Sequence, residues 1–151
     1  ATHTRALPAA LPCEENENRD VSRSVVENMV SAAPHITETE ARKVLGSFLF
    51  TGDDVLKPAG VLSGGEKTRL SLATLVVSSA NLLLLDEPTN NLDPASREEI
   101  LGALAHYEGA VVLVSHDPGA VQSLNPERVL ILPAGVEDIW SQDYQDLIEP
   151  A

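Results

Sequence analysis

Four consecutive leucines, Leu82–Leu85, run directly into Asp86-Glu87-Pro88. No other stretch constrains the fold as tightly. The run is strand-sized, and a strand without polar alternation belongs inside a parallel sheet covered on both faces. Parallel neighbours need crossover connections, usually helices. Two carboxylates at the strand's carboxyl end stand where open α/β sheets bind ligands. One of them, Asp86, can hold Mg2+ directly or through water. Its neighbour Glu87 points elsewhere and can polarise a water for in-line attack on a γ-phosphate. Pro88 then fixes the backbone just past the pair.

The rest of the chain reads as helices followed by alternating strands and helices. Residues 1–20 carry no clear period and read as a loop or a displaced tail, native to the fold or not. Val25, Val26, Met29 and Val30 fall at helical spacing, in a helix that Pro34 ends. Thr37 and Glu40 form a capping box that opens a second helix through about Phe48, and Gly52–Pro58 reads as a turn-rich connection. A second box, Ser63 and Glu66, opens a helix to about Val77 with Leu70, Ala73, Val76 and Val77 on one face. Asp93-Pro94 is an N-cap followed by proline at the first helical position, so the spacing predicts a helix over 94–106 that buries Ile100, Leu101 and Leu104. Strands are expected at Val111–Val114, Val129–Leu132 and Val136–Trp140, with a short helix at 118–124 and an acidic helix at 141–149. The expected organisation is a tail (1–20), a helical unit (21–80) and an α/β unit (81–151) built on a parallel sheet.

Composition narrows the function. With 43% hydrophobic residues the 151-residue chain can bury a core. The formal net charge is −13, and after Arg97 the only base is Arg128. Phosphate backbones demand Lys and Arg, so this chain is not a nucleic-acid clamp by itself. A single cysteine, Cys13, excludes an internal disulfide framework. No apolar run reaches the length of a membrane span and no secretion signal is found at the start, so a cytoplasmic location is expected.

Two further runs carry chemistry. In Leu62-Ser63-Gly64-Gly65-Glu66-Lys67-Thr68-Arg69-Leu70, the glycines allow close backbone approach to a ligand, and the N–H groups of a helix start favour anions. A plain helix cap needs only Ser63 and Glu66, so the full string asks for more. Ser115-His116-Asp117 follows a buried strand. A histidine there can donate to a γ-phosphate or orient the attacking water.

Taken together, these runs resemble the ATP-binding cassette (ABC) ATPases. Leu62–Gly65 resembles the ABC signature, Leu82–Glu87 the Walker B strand with its catalytic glutamate, Asn91-Leu92-Asp93 the D-loop, and His116 the switch histidine. Glu66-Lys67-Thr68-Arg69 and the run Glu87–Asp93 are most similar to the ABC-F subfamily, soluble ABC proteins that act on ribosomes. Transporter cassettes more often carry Ser-Ala or Ser-Gly where this chain has Asn90-Asn91.

The resemblance implies a partial P-loop-type cassette: a helical subdomain followed by the second half of the parallel-sheet core. It implies ATP and Mg2+ as ligands and a second cassette as partner. Glu87 and His116 would be catalytic, and Asp86 would hold the metal. Ser63, Gly64, Gly65, Glu66 and Asp93 would bind nucleotide, the signature residues reaching the one held by the opposite cassette. Two family features are missing. No Gly-x-x-x-x-Gly-Lys-Ser/Thr phosphate loop occurs in the 151 residues, and the glutamines, Gln122, Gln142 and Gln145, all fall late. The chain would thus contribute to two composite ATP sites and complete neither, and alone it would be inactive. A transporter's nucleotide-binding subunit and a non-enzymatic interaction fragment remain open alternatives.

Overall fold

A computed structural model describes residues 9–10 and 20–148. Along the chain lie β1 (Ala9–Ala10), α1 (Val25–Ala32), α2 (Glu38–Ser47), α3 (Gly64–Val77), β2 (Leu82–Asp86), α4 (Pro94–Leu104), β3 (Ala110–Val114), α5 (Pro118–Leu124), β4 (Arg128–Ile131), β5 (Val136–Ile139) and α6 (Gln142–Gln145). Short 3-10 turns at Gly52–Leu56 and Ala59–Val61 join α2 to α3.

Each long helix starts on a side-chain cap. Ser24 and Glu27, Thr37 and Glu40, and Ser63 and Glu66 form complete capping boxes on α1, α2 and α3. The box at Ser24 moves the start of α1 to Val25, inside the stretch read from apolar spacing. In each box the glutamate accepts the N–H of its cap residue. These bonds hold the carboxyls of Glu27, Glu40 and Glu66 below the usual carboxylate range, so the caps stay formed from neutral pH into mild acid.

One apolar core runs through the molecule. Met29 and Val25 of α1, Leu45 of α2, Leu70, Leu72 and Ala73 of α3, Leu83 and Leu85 of β2, and Ile100 and Leu104 of α4 belong to a single buried cluster. Leu72 is buried as well as the expected face of Leu70 and Ala73, because α3 is covered on more than one side. Arg69 ties α3 to the end of α2: its Nη1 donates to the carbonyls of Phe48 (3.3 Å) and Leu49 (3.0 Å), and its guanidinium lies 5.1 Å from the centre of the Phe50 ring. The residues before α3 are held against the start of α1, where Val25 N–H donates to Lys57 O and Ala59 N–H to Arg23 O.

The strands form two separate sheets. β1, β2 and β3 are parallel in that order, with Ala9 opposite Leu83 and Asp86 opposite Val114. β1 lies in the segment read as a tail, where two alanines give no strand signal. β4 and β5 pair antiparallel, Arg128 opposite Ile139 and Ile131 opposite Val136. The parallel sheet expected of the α/β unit is thus β1–β3, while the four-residue connection between β4 and β5 is too short for a parallel crossover, and Gly135, at φ 68°, closes the hairpin. The helix expected over 141–149 is a single turn, Gln142–Gln145. Asp146 sits at the carboxyl end of that turn, where negative charge is unfavourable.

The parallel sheet is covered more fully on one face than on the other. Leu83 and Leu85 are fully buried, whereas Val112 and Val114 are 46% and 50% exposed. Leu84, opposite Val112, is half-buried, so that face is covered less fully than the reading of a sheet buried on both sides expects. Leu130, Leu132 and Ile139 are exposed as well. Such surface favours association, and the −13 net charge opposes it. The chain is therefore expected to self-associate as salt rises through about 0.15 M, where the screening length shrinks to about 8 Å. Light scattering over a salt series checks this; a monodisperse monomer throughout would count against it.

Candidate functional site

The site begins where β2 ends. Asp86 is the last strand residue and is exposed. Glu87 follows with φ 45°, a left-handed backbone that turns the chain out of the sheet while its N–H still donates to Val114 O at 2.8 Å. That turn separates the two carboxylates: Asp86 stays on the strand and Glu87 reaches across to the end of β3.

There Glu87 meets Ser115 and His116. Its Oε1 accepts the backbone N–H of His116 at 3.0 Å and lies 2.5 Å from His116 Nδ1, while its Oε2 accepts from Ser115 Oγ at 3.3 Å. A carboxylate only accepts, so Nδ1 carries the proton in this contact and Nε2 is left facing outward. The His116 side chain is 78% exposed and that of Glu87 only 20%. The glutamate is thus held in place while the imidazole edge stays open to a ligand.

A second group surrounds this pair. Asp117 caps α5: its Oδ1 accepts Gly119 N–H at 2.9 Å, and its own N–H donates to Ser115 Oγ at 3.0 Å. Asp117 Oδ2 takes Arg97 Nη1 at 3.2 Å and the hydroxyl of buried Thr89 at 3.4 Å. The sequence reading passed over Thr89, Arg97 and these roles of Ser115 and Asp117. Asp117-Pro118 repeats the Asp93-Pro94 cap pattern, so the cap at least was readable.

The glycine-rich run opens α3. Ser63 Oγ accepts Glu66 N–H at 3.2 Å, and Glu66 Oε2 accepts Ser63 N–H at 2.8 Å. Lys57 Nζ stands 3.8 Å from Glu66 Oε1 and 2.7 Å from Asp54. Glu66 therefore has its carboxylate engaged within the chain. The amides of Gly64 and Gly65 have no acceptor within their own helix. A Cβ at Gly64 would meet nothing within 4 Å, whereas one at Gly65 would come within 3.2 Å of Asn91 O. The start of α3 thus packs against the 91–93 turn. Asp93 caps α4, accepting Ser96 N–H at 3.0 Å on Oδ1 and Ser96 Oγ at 2.6 Å on Oδ2. The Ser96 hydroxyl, with its backbone N–H, holds the Asp93 carboxyl below the usual range.

The expected site residues thus form two groups. Asp86, Glu87 and His116 share the strand ends, and Ser63, Gly64, Gly65 and Glu66 lie beside the turn that Asp93 closes. Among the described residues no three His, Cys, Asp or Glu side chains converge to cage a metal. Carboxylates at strand ends, such as Asp86, are the donors that Mg2+ commonly takes one or two at a time together with phosphate and water. No helix of the described residues is long and apolar enough to cross a membrane.

Known proteins with the same features are numerous. The chain is 44% identical over 131 residues to "Putative ATP-binding protein YdiF" of Bacillus subtilis, covering 87% of this chain and 20% of that protein. It is 43% identical over 124 residues to "Probable ATP-binding protein YheS" of Escherichia coli K12, covering 81% and 20%. It is 33% identical over 143 residues to "ABC transporter F family member 2" of Arabidopsis thaliana, covering 95% and 21%. The chain therefore spans about a fifth of the length of these relatives. Among solved structures, the ATP-binding cassette MJ0796, in a dimeric post-hydrolysis state with ADP and Pi, matches in fold with TM-score 0.64 at 22% identity, over 81% of this chain and 59% of that one. A putative ABC transporter ATP-binding protein of Pyrococcus furiosus matches with TM-score 0.57 at 21% identity, over 65% and 52%. The family model described as "ABC transporter" matches residues 5–90, which take in the glycine-rich run, the leucine strand and both carboxylates. The chain, with its parallel strands ending in Asp86-Glu87 and its glycine-started helix, belongs to the ATP-binding cassette family.

Proposed function

We propose that this chain supplies the hydrolytic groups of one composite ATP site and the nucleotide-facing helix start of another, in an ABC ATPase of two cassettes. The observation that carries the reading is the Glu87–His116 contact, 2.5 Å between Oε1 and Nδ1 at adjacent strand ends. Glu87 polarises the attacking water. His116, oriented through Nδ1, turns Nε2 towards the γ-phosphate or the water. Asp86 would hold Mg2+, which offsets charge on the transferred phosphoryl group.

At the other group, Ser63, Gly64 and Gly65 reach the nucleotide held by the second cassette. Open space at Gly64 supports this: among the described residues no atom lies within 4 Å of a Cβ there, so their packing does not require a glycine. A ligand approaching from outside would require one. Glu66 and Asp93 act by fixing the two backbone segments, because each carboxylate is engaged on its own helix. The likeness to an F-family member and the run Glu87–Asp93 favour a cytoplasmic ABC-F role directed at the ribosome, in translation or antibiotic protection.

Phosphate-loop backbone donors and a lysine provide much of a nucleotide grip in such enzymes, and the 151 residues contain no such loop. Calorimetric titration of the isolated chain with Mg-ATP is therefore expected to give no binding in the micromolar range. Micromolar affinity would overturn the division of labour proposed here.

A further inference from the structure

Arg97 stands where a cation is unfavourable. It lies in the first turn of α4, close to the positive end of the helix dipole. Its Nε is buried with no hydrogen-bond partner, a further cost. Asp117 compensates it: Oδ2 of that carboxylate takes Arg97 Nη1 at 3.2 Å. That carboxylate also receives the hydroxyl of Thr89, two residues past Glu87, and Asp117 itself follows His116 directly. Ser115 Oγ completes the path, accepting Asp117 N–H and donating to Glu87 Oε2. A chain of polar contacts thus runs from α4 to both members of the Glu87–His116 pair.

We infer that Arg97 is a positioning residue: through Asp117 it holds the 115–117 turn so that His116 Nδ1 meets Glu87. Because α4 begins directly after the Asn91–Asp93 turn, which packs against the start of α3, the same contact links the glycine-rich helix start to the hydrolytic pair. This rests on the reading of Glu87 and His116 as hydrolytic groups.

Imidazole NMR of the full chain tests it. The Nδ1-bound proton of His116, assigned by its loss in H116A, reports the contact with Glu87. The wild type should show a slowly exchanging signal. R97M should lose it while amide dispersion across β2 and α4 persists, and R97K, which keeps one N–H donor within reach, should retain it. The inference is overturned by absence of the signal in the wild type, by its persistence in R97M, or by its loss in a folded R97K. Global unfolding of R97M would show a structural strut and overturn it too. Failure of the hydrolytic reading is separate: it would appear as normal turnover by E87Q in the complete protein, whatever the imidazole signal does.

Discussion

Replacing Glu87 with glutamine, in a complete two-cassette protein carrying this chain, is expected to lower ATP turnover by about 10²–10⁴-fold, the range lost with a general base. Pairing of the cassettes on ATP should persist. The substitution preserves size and the Oε1 acceptor that faces His116 Nδ1 and the His116 N–H, so the geometry survives. What disappears is the charge proposed to draw a proton from the attacking water. Phosphate release gives the rate, and gel filtration with and without ATP gives the pairing. Wild-type turnover by the variant would refute the role of Glu87. Loss of ATP-driven pairing along with turnover would instead mean that Glu87 shapes nucleotide binding.

Leu85→Ala is expected to lower stability by about 2–5 kcal/mol, as for other large-to-small changes in packed interiors. Leu85 is fully buried and belongs to the same cluster as Leu70, Ile100 and Leu104, so its neighbours come from several elements and cannot all close on the void. A loss of that size is a large share of an ordinary domain's stability. Leu85 also directly precedes Asp86 and Glu87, so the cavity opens beneath the site. Urea unfolding followed by circular dichroism measures the effect. A midpoint within experimental error of the wild type would show that the leucine strand is not a structural anchor.

Much of this was legible in the amino acids, for reasons that differ by element. Helix starts declare themselves locally: Thr37 with Glu40, Ser63 with Glu66, and Asp93 with Pro94 each satisfy backbone donors within one turn, and all three begin helices as expected. The leucine run forms a central parallel strand, because uniform apolarity has few other uses at that length. Pairing across the sheet was less readable. Ala9 and Ala10 pair with Leu83 and Leu84, and two alanines in sequence carry no strand signal. The strands β4 and β5 were readable singly, but that they pair only with each other, as an antiparallel hairpin, rests on their short connection. The site divides similarly. Glu87 and His116 were found by position at strand ends. The path from Glu87 through Ser115 and Asp117 to Arg97 depends on side chains 20 and 28 residues apart in sequence coming into register, which no local pattern encodes.

The left-handed backbone of Glu87 bears on any redesign of this protein. A residue other than glycine at φ 45° gives up on the order of 1 kcal/mol, and asparagine or glycine would occupy the position with less strain. Variants selected for thermal resistance alone would therefore tend to discard the carboxylate proposed to polarise water, exchanging that site for a firmer scaffold. A screen for sturdier variants would have to hold position 87 constant, or score turnover beside melting temperature, to avoid enriching inactive proteins.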